Sequence, residues 1–435
     1  MTIVATGAGV PGFSEALDVV LRHAAGVGVL DAESVPLLSS TGRVLAVPVV
    51  ADRDQPPFDR ATRDGFAARA AEWSARKQLR LVGQVRAGET WHGGEIWAGC
   101  AVEIMTGAAV PAGVDAVAML EHAQLDGSEV RAAAGRSLAA GENVVPRGSE
   151  ARQGDVVLAP GTEIGAAEIA LAAAFGRAEL AVRKRPPVAI VATGDELVDA
   201  DETPGVHRIR NSNGYALAAL VEAAGGQARR LAIARDTRED IRARIAEGRM
   251  ADLLLLSGGV SAGRYDLVEE VLAEFGAEFF FTGVRMQPGK PVVFGRLPKG
   301  SESAGRRVSE PASRQRGGVA DADGWTYFFG LPGNPVSTQV TFHCFVEPML
   351  RAMCGASVAG PRFVQATLAE EVRGKAGLTR ILPARLTHRL ARPEVRVVRT
   401  QGSGDLVANA RANCYAVLPD GCDLRAGDGI TVLLR

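Results

Sequence analysis

Four loops between residues 188 and 337 share one construction, and they constrain the fold more than anything else in the chain. V-A-I-V-A at 188–192 runs into T-G-D-E-L at 193–197. L-L-L-L at 253–256 empties into S-G-G-V-S at 257–261, with Asp266 following. Q-P-G-K-P at 287–291 and G-L-P-G-N-P-V-S at 330–337 complete the set. Apolar runs without alternation mark strands buried on both faces, the signature of a parallel sheet covered by helices on each side. In such sheets ligands bind outside the carboxyl ends of the strands, where these loops lie. Acidic side chains beside Gly-rich backbone suit phosphate together with a divalent cation.

A chain of 435 residues exceeds one core, so two to four domains are expected. Lys and Arg number 49 against 50 Asp and Glu, which argues against nucleic acid or an anionic membrane as partner. No apolar run approaches the roughly 20 residues of a membrane span. Residues 1–12 lack a basic start, so a cytoplasmic protein without a secretory signal is expected. The five cysteines, Cys100, Cys344, Cys354, Cys414 and Cys422, form no CxxC pair and read as reduced, buried small residues. The six histidines show no metal-ligand spacing and read as structural or surface residues.

Taken in order, residues 14–23 predict a helix that Ser14 can cap, with Leu17, Val20 and Leu21 on one face. From residue 47 short alternating strands follow at 78–83, 101–105 and 116–120, separated by Gly-rich turns, as in a small β domain. The Ala-rich stretch 166–175 predicts a helix. Within the α/β unit, helices are expected at 213–224, 237–249, 267–275 and 335–353, the last opened by Pro335. Residues 298–325, rich in Gly, Ser, Arg and Pro, read as an exposed insertion. Alternating runs at 363–368, 395–398, 416–418 and 430–434 predict a C-terminal β barrel or sandwich.

Each candidate for chemistry has an ordinary alternative. Gly194 lets backbone approach a phosphate and Glu196 can hold a metal ion; equally, the loop is a βα turn in which Asp195 caps a helix. The adjacent Gly258 and Gly259 present backbone N–H groups beside Ser257 and Ser261, and Asp266 is either a magnesium ligand or a cap. Pro332, Gly333, Asn334 and Pro335 form a stiff loop, a wall for a planar ligand or a rigid connection. Lys290 suits an oxyanion, or is a surface lysine. Asp64-Gly65 and Thr106-Gly107 read as turns. Asp236, three residues before Glu239, reads as a helix cap or a functional acid.

Together these motifs, with P-P-F-D at 56–59, D-G-F-A at 64–67 and I-M-T-G-A at 104–108, resemble the MoeA family, to which the C-terminal part of gephyrin also belongs. The resemblance runs from about residue 14 to 435. It implies a multidomain α/β plus β fold of four domains: a discontinuous helical domain (10–48 and 145–186), an inserted β-rich domain (49–144), a three-layer α/β molybdopterin-binding domain (187–354) and a C-terminal β barrel (355–435). It further implies a head-to-tail homodimer. The implied reaction takes adenylylated molybdopterin and molybdate, is magnesium-dependent, and gives molybdenum cofactor and AMP. The implied catalytic set is Asp64, Thr106, Glu196, Asp236 and Asp266, with Glu196 and Asp266 on the metal. Implied substrate-binding positions are Gly194, Asp195, Ser212, Asn213, Ser257, Gly258, Gly259, Ser261, Lys290, Pro332, Asn334, Pro335, Ser337, Arg380 and Ser403. A molybdopterin adenylyltransferase and acceptors of the finished cofactor are implied partners.

The chain departs from the family pattern in several places. Gln287 stands where a lysine is frequent, removing a cation from the implied molybdate pocket, and Arg285 is the nearby candidate to replace it. Arg63, Glu103, Glu150 and Asn211 also differ from the frequent residues. Two other readings compete. One is the adenylyltransferase, which shares the α/β domain but lacks the Asp64 and Thr106 regions and the barrel. The other is a gephyrin-like scaffold. A Rossmann dehydrogenase lacks its G-x-G-x-x-G after the first strand.

Overall fold

The computed structural model describes residues 9–75, 77–259, 267–300, 324–389 and 392–435. At its centre is a six-stranded sheet in the order Gln227–Arg230, Pro187–Ala192, Leu253–Ser257, Trp325–Leu331, Val293–Pro298, Glu278–Thr282. The first four strands are parallel, and Val293–Pro298 pairs antiparallel with both of its neighbours, Trp325–Leu331 and Glu278–Thr282. The expected parallel sheet is therefore extended by a two-strand antiparallel flank, because Val293–Pro298 and Trp325–Leu331 pair as the arms of one hairpin. The insertion expected at 298–325 leaves from the tip of that hairpin, but its end residues Pro298 and Trp325 still pair as strand, and residues 301–323 lie outside the described residues. All four leucines at 253–256 are fully buried, since helices cover both faces.

The chain runs from Pro187–Ala192 to its outer neighbour Gln227–Arg230, then crosses back to Leu253–Ser257 on the other side. That reversal opens a crevice at the carboxyl ends of Pro187–Ala192 and Leu253–Ser257. Helix Ser212–Ala223 starts above this crevice, capped by Asn211, whose side chain accepts from the Gly214 N–H at 2.9 Å. Helix Arg238–Gly248 is capped by Thr237 and not by Asp236: the Thr237 hydroxyl accepts from the Asp240 N–H. Pro335–Thr341, a π turn Phe342–Val346 and Glu347–Met353 make one buried helical rod.

Helix Phe13–Ala25 begins at Gly12, not Ser14; the Glu15 carboxylate accepts the Gly12 N–H at 2.7 Å. Its stripe of Phe13, Ala16, Val20 and Ala24 packs into the α/β core, against the rod, although the sequence boundaries placed it with the helical domain. What remains of the discontinuous segment is helix Ala166–Ala174 and antiparallel ladders joining Ala32–Pro36 to Glu179–Arg183 and Val49–Val50 to Val156–Leu158.

The inserted part is a six-stranded sheet with apolar clusters on both faces, one around Trp73 and Phe66, the other around Ile104 and Val102. The C-terminal part is a closed five-stranded barrel, in which Thr379–Arg389 pairs with both Arg392–Val397 and Cys414–Leu418. A two-residue strand from the α/β part, Met286–Gln287, adds to the barrel wall beside Thr379–Arg389. Four of the cysteines are buried and Cys422 is exposed.

Candidate active site

The crevice opens into a cavity of about 1360 Å3 between the sheet's carboxyl edge and the barrel. Its wall collects Gly194, Glu196, Ser212, Asn213, Asp236, Ser257, Gly258, Gly259, Lys290, Pro332, Asn334, Pro335, Ser337, Arg380 and Ser403. Asp195 is absent from this wall. It caps no helix either, since the chain continues into the short strand Leu197–Val198; its carboxylate accepts the Asp236 N–H at 3.4 Å. Ser261 and Asp266 lie outside the described residues. Asp64 and Thr106 stand elsewhere, on the inserted sheet, and are exposed.

Local sequence explains the placements. Gly258 has φ +94°, and a Cβ there would sit 2.6 Å from the Thr193 carbonyl oxygen, so only glycine lets this turn close against the neighbouring strand end. Gly194 leaves the space into which the Glu196 carboxylate folds back; a Cβ would meet Glu196 Oε2 at 2.3 Å. The Thr193 hydroxyl is buried with no partner among the described residues. Asn213 fastens the helix start to two strand ends: Nδ2 donates to Ser257 Oγ at 3.0 Å and to the Gly333 carbonyl at 2.7 Å. Asn334 Nδ2 donates to Ser403 Oγ at 2.9 Å, and the Val336 N–H donates to the Ser403 carbonyl, which ties the barrel to the stiff Pro-Gly-Asn-Pro loop.

The cavity's charges come from different elements. Glu196 and Asp236 line the side of the first strand; Lys290 and Arg380 come from the Pro-Gly-Lys-Pro loop and the barrel. Arg380 pairs in register with Gln287 across adjacent strands. Its Nη1 donates to the Arg373 carbonyl, while its Nε is buried with no partner among the described residues. The side chain as a whole lines the cavity, so its cation stands where an anion would bind. Arg285 does not replace the missing cation. Its guanidinium turns to the N-terminal segment, donating to the Val10 carbonyl at 2.6 Å and lying 3.8 Å from Glu15. Arg210 also lines the cavity, and sequence reasoning missed it; the signal was a cation immediately before the Asn211 cap.

Asp64 and Thr106 form a pair: Asp64 Oδ1 accepts from the Thr106 hydroxyl at 2.7 Å and from its N–H at 2.6 Å. These two bonds, the hydroxyl first, hold the Asp64 carboxyl below its usual range. The motif is thus more than a turn: it fixes an ionised carboxylate on an exposed edge.

Three family models together match most of the chain: "MoeA N-terminal region (domain I and II)" at residues 12–176, "Probable molybdopterin binding domain" at 189–352 and "MoeA C-terminal region (domain IV)" at 365–434. The molybdopterin molybdenumtransferase of Staphylococcus aureus strain Mu50 is 34% identical over 419 residues, 93% of this chain and 91% of that protein. The chain belongs to the MoeA family. A second relative, the molybdopterin molybdenumtransferase of Staphylococcus epidermidis strain RP62A, is 31% identical over 92% of this chain and 90% of its own length. The solved structure of the molybdopterin biosynthesis MoeA protein of Pyrococcus horikoshii OT3 superposes with TM-score 0.74 at 26% identity, covering 98% of this chain and all of that one. MoeA relatives match across the inserted sheet and the barrel as well as the α/β part, so the resemblance is not confined to the domain an adenylyltransferase would share.

Proposed function

We propose that this MoeA family member is a molybdopterin molybdenumtransferase acting in molybdenum cofactor biosynthesis. It takes adenylylated molybdopterin and molybdate, or the tungstate analogue, and releases AMP. One observation carries the reading: a single cavity joins carboxylates and glycine-rich strand ends on one wall to Lys290 and Arg380 on another. A molecule carrying a phosphoanhydride and a tetrahedral dianion need these two kinds of wall at once.

Among the described residues no group of three or more His, Cys, Asp or Glu could hold a metal by itself. Magnesium is commonly held by one or two carboxylates plus substrate phosphates, and Glu196 on this wall fits that mode, with Asp266 proposed from the sequence as the second carboxylate. Bound there, the ion would neutralise phosphate charge and favour attack of water on phosphorus. The protein's own residues do the rest. The backbone at Gly258 and Gly259 and the start of helix Ser212–Ala223 receive phosphate oxygens. Pro332 and Pro335 stiffen the wall against which the planar pterin rests. Lys290 and Arg380 hold the oxyanion near the dithiolene, and Ser403 keeps the barrel in place over it.

Asp64 and Thr106 are exposed and remote from the cavity wall in their own chain. In the proposed head-to-tail homodimer this pair completes the cavity of the other subunit. The test is direct: incubate the protein with adenylylated molybdopterin, magnesium and molybdate, and monitor AMP. AMP release that needs both magnesium and molybdate supports the reading; release that ignores molybdate refutes it in favour of simple hydrolysis.

A further inference from the structure

A second cavity, of about 30 Å3, lies at the joint between the discontinuous N-terminal part, the α/β part and the linker to the barrel. Four arginines, Arg43, Arg183, Arg351 and Arg362, line it against two glutamates, Glu163 and Glu347, an excess of two positive charges. Glu33, the carboxylate partner of Arg43, reduces the excess without cancelling it. Arg43 and Arg351 are largely buried and Arg183 is half-buried, all three sparsely bonded, whereas Arg362 is exposed and bridges Glu347 at 3.2 Å. Arg43, 8% exposed, uses only Nη2, to Glu33 at 2.5 Å and to the Arg183 carbonyl at 2.6 Å. Arg351, 15% exposed, uses only Nη2, to Glu163 at 3.0 Å. Arg183 uses only Nη1, to the Leu30 carbonyl at 3.2 Å. Among the described residues their remaining N–H groups make no hydrogen bond, and none of them is a sealed, unpartnered atom, so they are open to water or to a ligand beside the cavity they line.

Guanidinium groups whose open donors converge on one confined space offer an anion several charge-assisted bonds at once. The space admits one or two waters, or a single small anion in their place. Two helix ends, of Ser212–Ala223 and of Glu347–Met353, also face this joint. Their carbonyl ends disfavour an anion, which accounts for the need for several guanidinium groups rather than one. The Cys354 thiol takes up part of that negative end, lying 3.6 Å from the Gly225 carbonyl oxygen.

We propose that this joint binds one small tetrahedral oxyanion of the phosphate class, which braces the N-terminal part on the α/β part. The site is separate from the substrate cavity: the two lie at opposite ends of helix Ser212–Ala223, roughly 18 Å apart for a helix of this length. They also sit at opposite ends of the helical rod that starts at Pro335. Because the joint stands on this cavity alone, it does not depend on the proposed reaction.

The experiment measures unfolding temperature of the full-length protein in chloride, phosphate and molybdate at matched ionic strength. Two variants accompany the wild type: Arg183→Gln combined with Arg351→Gln, and Ala356→Leu, which fills the cavity and leaves every charge in place. Phosphate is expected to raise the unfolding temperature saturably above chloride. Both variants should lose most of that rise while their AMP release stays near wild type. Molybdate stabilisation lost in the same variants identifies the substrate anion as an occupant; phosphate stabilisation alone identifies the free phosphate pool. Equal shifts in chloride and phosphate overturn the proposal. So does a phosphate rise that survives in the variants but disappears in Lys290→Gln, which would place the anion in the substrate cavity. If the double arginine variant does not fold, Ala356→Leu decides the question alone.

Discussion

Gln287 lines the proposed anion site without a charge, and its neighbour sets what a lysine there would do. Gln287 and Arg380 are opposite each other on adjacent parallel strands. Gln287→Lys adds a cation beside an incoming dianion, worth about 1 kcal/mol near a solvated surface, which is about a fivefold change in affinity. It also sets two cations side by side in the free protein, which costs roughly 0.2–1 kcal/mol. The expected result is molybdate half-saturation of AMP release lowered about three- to fivefold, with a small loss of stability. Arg380→Gln acts oppositely and more strongly. Arg380 lines the cavity, and a charge-assisted bond from its guanidinium to a bound anion is worth about 1.5–3 kcal/mol; half-saturation should rise about tenfold or more. Lys290→Gln should weaken binding as well, and all three effects should shrink with added salt. Arg285→Gln should leave molybdate dependence unchanged, because that guanidinium is engaged with the Val10 carbonyl. AMP release measured against molybdate at two ionic strengths separates these outcomes. A large effect of Arg285→Gln with none from Gln287→Lys or Arg380→Gln would refute the assignment of this wall as the oxyanion site.

Asp266→Asn should lower molybdate-dependent AMP release at least tenfold, roughly 1.4 kcal/mol of barrier, with the unfolding curve unchanged; wild-type turnover would remove Asp266 from the site. Replacing residues 298–325 by a short Gly-Ser turn should keep the unfolding temperature within a few degrees, because Leu297 and Thr326 are already paired neighbours; loss of folded protein would count against it. Thr106→Ala should raise the Asp64 pKa, read by NMR titration. The carboxyl is held low in the folded state, so the stability it contributes is present above the unfolded value and is lost as pH falls through the folded one. Gly258→Ala should destabilise by about 1–3 kcal/mol through its positive φ and its approach to the Thr193 carbonyl, seen as a lowered denaturant midpoint.

The α/β part was legible because burial on both faces writes itself as unbroken apolar runs, and because glycine pairs and prolines are forced by close backbone approach. Gly258 is such a case: the turn would not close with a side chain. The helix starts were less legible. Asp236 and Thr237 both satisfy capping chemistry in sequence, and only the direction of the chain entering Arg238–Gly248 selects Thr237. Strand Thr379–Arg389 escaped notice because Pro383 interrupts its pattern, yet it is the longest strand of the barrel. Helix Phe13–Ala25 was found from its stripe, but a stripe does not name the surface it covers. The fate of Arg285 was equally hidden, since a cation two residues from a motif can turn to either side of its strand.

The strand Met286–Gln287 has a consequence for anyone exchanging modules between relatives. It is continuous with the α/β part in the chain but hydrogen-bonded into the barrel wall. A chimera cut at the linker after residue 354 would therefore mate a foreign barrel edge with a native two-residue strand, one position of which, Gln287, pairs with Arg380 at the proposed anion site. Donor and recipient must be matched at Gln287 as well as across the splice. A swap that ignores this transplants half of the proposed anion site and leaves the other half behind.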